Sequence, residues 1–336
     1  MKEHVLSLIE AIGSSPQTAP AIVRERCLRR RLNTCDCRLC LNACAAGALS
    51  LVDRQVVLDE GKCTGCLRCV AVCPNESLVA AGDLEEIMRK AAGRTRLYVS
   101  CFRQKPRFAD EVPVPCLGLF SEEMLLALGR SGCKMILFNT DGCATCCNKS
   151  AAEQFLAALR LVLTAASEFL TGELSLAADT ASEEQYPQSR RTFLANVRAG
   201  MTFFVRERQK NSAPGQPGQG RRLPFRVRLV DSLLAKAEGK EKSRLHALIT
   251  PTLKVTDACT TCPRCTGICP TGALRTDGTG PGKRLIFAAS RCSTCGLCVA
   301  FCKEAALSLT PSPLIAGKEG ASSFFTGIRK DAPSLS

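Results

Sequence analysis

The sequence lacks several features on which common functional assignments rest. It has no tryptophan and only two tyrosines among 336 residues, so we expect mainly aliphatic cores with some phenylalanine. Its only histidines, His4 and His246, lie away from any motif, which argues against a histidine-based metal site. No G-x-G-x-x-G follows a predicted strand, and GTGPGKR at 278–284 lacks the glycine and the hydroxyl of a phosphate loop. The sequence therefore contains no recognisable nicotinamide, flavin or nucleotide-phosphate site.

Long hydrophobic runs are also missing. The most apolar stretch, residues 155–170, is interrupted by Arg160 and Glu168, so it is not expected to span a bilayer. The apolar stretch near the N-terminus is too short and too interrupted for a signal peptide. The sequence thus predicts a soluble protein of the cytoplasm, without a transmembrane segment.

Cysteine, in contrast, is abundant: there are 23, and sixteen of them fall into four groups. Three groups repeat the spacing C-x2-C-x2-C-x3-C, and a fourth group near the N-terminus is irregular. The regular groups are Cys63, Cys66, Cys69 and Cys73; Cys259, Cys262, Cys265 and Cys269; and Cys292, Cys295, Cys298 and Cys302. The irregular group is Cys35, Cys37, Cys40 and Cys44. This spacing is the ligand run of bacterial [4Fe–4S] proteins, and thiolate ligation indicates a reducing compartment.

Each half of the chain contains a cysteine group, a predicted hairpin, a second group and a short apolar strand. This internal repeat resembles the bacterial two-cluster ferredoxin fold, over residues 27–82 and 255–310. The resemblance implies that the fourth cysteine of each run ligates the other cluster of its module. The implied ligand sets are Cys35, Cys37, Cys40 and Cys73 for cluster 1; Cys63, Cys66, Cys69 and Cys44 for cluster 2; Cys259, Cys262, Cys265 and Cys302 for cluster 3; and Cys292, Cys295, Cys298 and Cys269 for cluster 4.

The first of these sites departs from the regular pattern. Thr34, not cysteine, stands three residues before Cys37. Our prediction is that Cys35 reaches the iron through a tighter loop. The alternatives are that Cys27 is the ligand and Cys35 is free, or that the site holds a three-iron cluster.

Residues 83–172 alternate between helical and strand patterns, which is typical of a small α/β domain. Five cysteines lie at predicted strand ends or in the loops that follow, where ligands bind at the carboxyl edge of such sheets. They are Cys101, Cys116, Cys143, Cys146 and Cys147. Residues 114–148, VPCLGLFSEEMLLALGRSGCKMILFNTDGCATCCN, resemble the delta subunit of methyl-viologen-reducing hydrogenases. The resemblance implies a [2Fe–2S] centre that passes electrons between partners. The second cysteine usual near Cys101 is absent, so free or redox-active thiols are the alternative.

The other segments carry weaker patterns. We expect a helical lead-in at 1–26, a flexible linker with basic amphipathic helices at 173–254, and a loose tail at 311–336. Residues 189–254 hold 15 Lys or Arg against 4 Asp or Glu. They form either surface helices with solvated basic faces or a docking arm for an acidic protein partner. Interleaved aromatic residues suited to base stacking are missing, so no nucleic-acid partner is expected.

The predicted fold class is therefore α+β: two ferredoxin-like modules flanking a small α/β domain, with a flexible basic linker. The predicted function is electron transfer through four [4Fe–4S] clusters, with or without a [2Fe–2S] centre, as a non-catalytic subunit of an anaerobic oxidoreductase complex. The redox partner would resemble a hydrogenase, a formate dehydrogenase or a heterodisulfide reductase. The alternative is an enzyme acting on a disulfide or thiol at Cys143, Cys146 and Cys147.

Overall fold

A computed structural model describes residues 19–80, 84–104, 108, 111–177 and 221–316 of the chain. Two small modules, each containing two antiparallel strand pairs, precede and follow a four-stranded parallel sheet in the chain. Helices that follow the sheet in the chain pack against it. The mixture of helices and strands agrees with the predicted α+β class.

The first module begins earlier than predicted. Its elements are β1 (Ala21–Ile22), α1 (Leu28–Arg31), α2 (Leu39–Asn42), β2 (Leu49–Val52), β3 (Gln55–Leu58), α3 (Arg68–Val72) and β4 (Leu78–Val79). Strand β1 pairs antiparallel with β4, so residues before 27 belong to this module and the predicted boundary is wrong. Residues 1–18 of the predicted helical lead-in lie outside the described residues. The predicted hairpin is confirmed, since β2 pairs with β3 around Asp53 and Arg54.

The middle of the chain forms the parallel sheet. Its elements are α4 (Leu84–Ala91), β5 (Arg96–Cys101), β6 (Val112–Val114), α5 (Glu122–Gly129), β7 (Met135–Phe138), α6 (Lys149–Ala165) and β8 (Glu173–Leu176). The strand order is β6-β5-β7-β8, with every neighbouring pair parallel. Helix α5 begins as predicted at Ser121, whose hydroxyl accepts the N–H of Met124. Strand β8 extends the sheet past the predicted boundary at 172.

The segment predicted as a linker contains two helices that pack into the main core. They are α7 (Phe225–Ala235) and α8 (Gly239–Ile249). Leu233 of α7 and Leu245 of α8 are buried in the same core as Leu125 of α5 and Phe155 of α6. The amphipathic helices expected in this segment are present, but these residues do not form a flexible linker, because their apolar sides cover the sheet domain. The predicted basic helix with Phe193, Val197, Met201 and Phe204, and the Gly/Pro-rich stretch at 211–220, lie outside the described residues.

The basic residues around α7 are bound within the chain. Arg226 forms an ion pair of 2.5 Å with Glu123, and Arg228 forms one of 2.7 Å with Glu85. Arg222 lies 2.8 Å from Glu76, which belongs to the first module. These pairs show that part of the basic excess serves intramolecular contacts.

The second module repeats the first. Its elements are β9 (Thr252–Val255), α9 (Arg264–Ile268), β10 (Leu274–Asp277), β11 (Arg284–Phe287), α10 (Leu297–Ala300) and β12 (Leu307–Thr310). Strand β9 pairs with β12, and β10 pairs with β11 around the predicted turn. A last helix, α11 (Pro313–Ala316), buries Leu314 in the main core, so the predicted loose tail begins too early. Residues 317–336 lie outside the described residues.

None of the described helices combines the length and the apolar character needed to cross a lipid bilayer.

Candidate iron–sulfur centres

The second module contains a cavity of about 250 Å³ whose wall includes four cysteines. These are Cys259, Cys262, Cys265 and Cys302, the set predicted for cluster 3. Three of them come from the loop and helix after β9, and the fourth follows α10. Lys303 and Arg264 also line the cavity and place positive charge beside the thiols. Four sulfur donors around one space are the ligand chemistry of a [4Fe–4S] cluster.

A second group of thiols in this module is recognised because the charges of some members raise the pKa of others. Burial raises the pKa of Cys298, and the charges of Cys295, Cys292 and Cys269 raise it further. Burial likewise raises the pKa of Cys292 to about 12 and that of Cys295 to about 11, and Cys269 adds to both shifts. The structure therefore brings together the set predicted for cluster 4. Iron bound here would favour the thiolate forms and offset this cost of burial.

Backbone N–H groups point at several of these sulfurs. Burial raises the pKa of Cys269, but the N–H groups of Leu274, Thr271 and Ala273 and the Thr271 hydroxyl hold it below its usual value. Cys44 and Cys73 of the first module each accept a backbone N–H, from Ala48 and from Ser77, both at 3.2 Å. Hydrogen bonds to ligand sulfur stabilise the more negative form and so tune the reduction potential.

The four thiols predicted for cluster 2 lie close to one another in the first module. Burial raises the pKa of Cys69 well above its usual value, and the charges of Cys66, Cys40, Cys63 and Cys44 raise it further. Four of these five thiols are the predicted ligand set, and Cys40 belongs to the neighbouring site. The two sites of the module therefore lie side by side.

The remaining site of the first module involves both Cys27 and Cys35. Burial raises the pKa of Cys40 to about 12, and the charges of Cys73 and Cys27 act in the same direction. Cys35 is buried in a small apolar core with Leu28 of α1 and Leu297 of the second module. Both candidate ligands therefore lie near thiols of this site, Cys27 beside Cys40 and Cys73 and Cys35 beside Cys37, while Cys35 also packs toward the other module.

The sheet domain brings together four of its five predicted cysteines. Burial raises the pKa of Cys116 to about 12, and the charges of Cys101 and Cys143 contribute to this shift. Burial also raises the pKa of Cys143 to about 11, with contributions from Cys101 and Cys146. Gln104 donates from Nε2 to Cys143 Sγ at 3.2 Å. The four thiols lie at the carboxyl edge of the sheet, because they end or follow parallel strands β5, β6 and β7.

The fifth cysteine of the sheet domain differs from the other four. Cys147 is exposed, whereas Cys101 and Cys116 are buried and Cys143 and Cys146 are half-buried. A further thiol, Cys133, is also buried and donates to the carbonyl oxygen of Met135 at 3.3 Å. Its role is therefore packing within the core.

The sheet-domain site lies against the cluster 2 loop. Burial raises the pKa of Cys116, and the charges of Cys101 and Cys66 raise it further. Arg103 and Asn148, which flank the site in the chain, both donate to the carbonyl oxygen of Thr64 at 3.2 Å. The two loops are therefore held together from both sides.

The two ferredoxin-like modules also meet directly. Leu28, Cys35 and Leu297 form the small core between them, with Cys37 and Cys295 packed at its edge. Arg31 Nε donates to the carbonyl oxygen of Ile268 at 2.9 Å across the same contact. Cys37 belongs to the first site and Cys295 to the cluster 4 site, so these two sites are neighbours.

Among the described residues, no group of three or more His, Cys, Asp or Glu is arranged around a single metal ion. A cubane cluster does not require such a group, because its four thiolates bind four different irons and are spread around the cluster. The Nδ1 atom of His246 contacts the Thr250 hydroxyl at 3.2 Å. His4 lies outside the described residues.

Comparison with known proteins identifies the two modules. Residues 34–77 and residues 252–303 each match the description "4Fe-4S dicluster domain". The chain contains two ferredoxin-type iron–sulfur domains. The first match begins at Thr34, so Cys27 lies outside it. Neither match extends into the sheet domain between the two modules.

One curated protein is also similar to part of the chain. It is "Putative oxidoreductase AegA" of Escherichia coli (strain K12), 28% identical over 106 residues. The similarity covers 29% of this chain and 15% of that protein's length. No solved structure matches. These similarities cover limited stretches, so the contacts within this chain carry the rest of the functional argument.

Spacing favoured Cys35 over Cys27, because nine residues separate Cys27 from Cys37 where the regular runs have two. The sequence did not single out Gln104, since a glutamine that donates to a thiol has no characteristic spacing.

Proposed function

We propose that this chain transfers electrons through four [4Fe–4S] clusters in its two ferredoxin-type modules and a [2Fe–2S] centre in its sheet domain. Clusters 2, 3 and 4 take the ligand sets predicted from the sequence. Cluster 1 takes Cys37, Cys40 and Cys73 with one further cysteine. The [2Fe–2S] centre takes the four convergent thiols of the sheet domain and not Cys147. The clusters supply one-electron chemistry, and the chain sets their spacing and their potentials.

The observation that carries this proposal is the unbroken series of neighbouring thiol groups. Cys116 of the sheet domain lies near Cys66 of cluster 2, and Cys69 of cluster 2 lies near Cys40 of cluster 1. Cys37 of cluster 1 shares the inter-module contact with Cys295 of cluster 4, and Cys298 of cluster 4 lies in one small core with Cys265 of cluster 3. Electron transfer weakens steeply with distance, so a series of adjacent sites is the arrangement that a relay requires.

The burial of these thiols supports a carrier over a surface catalyst. Cys40, Cys69, Cys265 and Cys298 have less than a tenth of their surface exposed. A buried cluster reaches other proteins only through sites nearer the surface. A relay protein needs such access at its two ends, and the sheet-domain site and the cluster 3 cavity are the ends of this series.

The redox partner that we propose is an oxidoreductase. Hydrogenases, formate dehydrogenases and heterodisulfide-reductase-like enzymes use iron–sulfur subunits of this kind, as the resemblance of the sheet domain implies. The similarity to a protein named as an oxidoreductase is consistent with such a partner. The proposed role is therefore that of a non-catalytic subunit, which collects electrons from one protein and delivers them to another.

The alternative function is reduction of a disulfide or thiol at Cys143, Cys146 and Cys147. The exposure of Cys147 is the observation that favours it. Burial raises the pKa of Cys143 to about 11, however, and a thiol with a raised pKa is mostly protonated and weakly nucleophilic at neutral pH. The carrier is therefore the preferred function.

The first test is the iron and acid-labile sulfide content per chain, after anaerobic purification and cluster reconstitution. Four cubanes correspond to about sixteen irons, and a [2Fe–2S] centre raises the total to about eighteen. About eighteen supports the full proposal. About sixteen removes the sheet-domain centre and strengthens the alternative enzyme, and a content far below sixteen contradicts the relay.

An assay of electron transfer separates the two candidate functions. The reduced chain, given an artificial electron donor, should pass electrons to a redox protein but should not turn over a small disulfide. Steady disulfide reduction by the isolated chain would contradict the carrier.

A further inference from the structure

The regular cluster sites begin at a recurring place in the fold. A residue at the end of one strand donates its N–H to a carbonyl oxygen of the paired strand, and the first cysteine ligand follows shortly after. The three N–H to carbonyl pairs are Asp59 to Ala48 at 2.8 Å, Thr256 to Ala306 at 2.9 Å and Ala288 to Ala273 at 2.8 Å. The first cysteine comes four, three and four residues later, at Cys63, Cys259 and Cys292.

Cys27 occupies the fourth such place. Val23 donates its N–H to the carbonyl oxygen of Ser77 at 2.7 Å, and Cys27 follows four residues later. A 3-10 turn, Arg24–Arg26, leads into Cys27, just as Ala289–Arg291 leads into Cys292. The N–H of Cys27 bonds to the carbonyl oxygen of Arg24 at 3.0 Å. By fold position Cys27 is therefore the counterpart of the first ligand in every regular site.

The thiols around Cys27 are those of the first site. Cys27 and Cys73 pack against the same small core of the first module, to which the buried Cys40 belongs. Cys40 and Cys73 come from separate segments of the module, one at α2 and one after α3. A thiol adjacent to both lies where the fourth corner of the site is expected.

Residues 28–36 account for the broken spacing. They stand between Cys27 and Cys37, where the regular sites have two residues, and they form α1 and the turn after it. This insertion contacts the second module through Leu28 and through Arg31, which donates to Ile268. Cys35 lies in the same contact, with 1% of its surface exposed. Its burial is thus explained by packing between the modules, without a role as a ligand.

We propose that Cys27, together with Cys37, Cys40 and Cys73, holds the first [4Fe–4S] cluster, and that residues 28–36 are an insertion that joins the two modules. Cys35 is a buried, unligated thiol of this joint. The inference rests on the proposed function, since it assigns a ligand to one of the proposed clusters.

The test compares three single variants of the full chain, Cys27→Ala, Cys35→Ala and Cys133→Ala, with the unaltered chain. Cys133→Ala is the matched control, because it also removes a fully buried thiol outside every site. Each protein is reconstituted anaerobically. Iron and sulfide are then counted, and the EPR spectrum of the oxidised protein is recorded, in which a three-iron cluster is visible and an intact [4Fe–4S] cluster is silent.

The expected result is that only Cys27→Ala is affected. If the cluster survives as a three-iron cluster, this variant should lose about one iron and show the three-iron EPR signal. If the whole cluster is absent, it should lose about four irons. Cys35→Ala and Cys133→Ala should keep the iron content of the unaltered chain. Loss of iron from Cys35→Ala, alone or together with Cys27→Ala, would overturn the inference, as would full iron content in Cys27→Ala.

The same measurement separates this inference from the proposed function. If the unaltered chain itself holds far fewer than sixteen irons, the proposed relay is wrong. If it holds the full content and the variants do not differ as expected, the relay stands and the assignment of Cys27 is wrong.

Discussion

The guanidinium group of Arg226 on α7 lies 2.5 Å from the carboxylate of Glu123 on α5, and both side chains are largely buried. The Glu123 side chain is 4% exposed and that of Arg226 is 19% exposed. The contact joins a helix of the basic segment to the sheet domain. The basic segment is therefore part of the folded structure here, and this pair offers a direct test of that role.

Replacement of Arg226 should destabilise the protein strongly. Arg226→Leu leaves the Glu123 carboxylate in a buried position without its main partner, which costs about 3–5 kcal/mol. Arg228→Leu on the same helix is the matched control, because its pair with Glu85 is nearly half exposed and contributes about 0.2–1 kcal/mol. The free energy of unfolding of both variants, from denaturant titration, checks the difference. Equal losses would contradict the buried-pair assignment.

Gly118 is expected to be intolerant of a side chain. A Cβ at this position would lie 2.8 Å from the Cβ of Ala151 and 2.9 Å from the carbonyl oxygen of Cys66. Gly118→Ala should therefore cost about 1–3 kcal/mol and push the sheet-domain loop away from the cluster 2 loop.

Gly267→Ala is the control for this prediction. A Cβ there meets nothing within 4 Å, and alanine is favoured over glycine in a helix by about 0.5–1 kcal/mol. Thermal unfolding of the two holo-proteins is the measurement. A Gly118→Ala variant as stable as Gly267→Ala would show that the two loops are not in close contact.

Lys303 is expected to raise the potential of one cluster. It stands where the other two regular runs have proline and lines the cavity with the cluster 3 cysteines. Its positive charge stabilises the reduced cluster, which carries one more negative charge. Lys303→Pro should keep all four [4Fe–4S] clusters and lower one midpoint potential, while Lys303→Gln removes only the charge. If the interaction of this charge with the reduced cluster is worth about 1 kcal/mol, its removal lowers the midpoint potential by on the order of 40 mV for one electron.

Redox titration followed by EPR is the measurement for Lys303, and Lys236→Gln, an exposed lysine at the end of α7, is the charge control. The control should leave every midpoint unchanged. If both Lys303 variants give the same set of midpoints as the unaltered chain, Lys303 has no influence on a cluster.

The adjacent residues Cys146 and Cys147 should behave differently. Cys146 contributes to the raised pKa of Cys101 and of Cys143, whereas Cys147 is exposed. Cys146→Ala should lose about two irons, the content of a [2Fe–2S] centre. Cys147→Ala should keep the full content, and in the unaltered protein Cys147 should react first with an alkylating reagent. Iron loss from Cys147→Ala would place the centre on a different set of thiols.

Much of the iron–sulfur chemistry is visible in the sequence because ligand loops are local. Within a regular run such as Cys292, Cys295 and Cys298, the spacing alone brings three thiols to one point, and no distant contact is needed. The parallel sheet was predictable for a similar reason. The alternation of helices and strands places the ends of β5, β6 and β7 at one edge, where Cys101, Cys116 and Cys143 meet.

Tertiary structure decided what depends on contacts between distant segments. The sequence favours Cys35 over Cys27 as a ligand, and only the pairing of β1 with β4 gives Cys27 the fold position on which our proposal rests. Helices α7 and α8 lie in the segment that the sequence predicts as a flexible linker with basic amphipathic helices. Their burial depends on a sheet-domain surface that offers apolar side chains and the carboxylate of Glu123. Local spacing determines which atoms can bind iron, whereas the packing of separate segments determines which of them meet and which modules lie side by side.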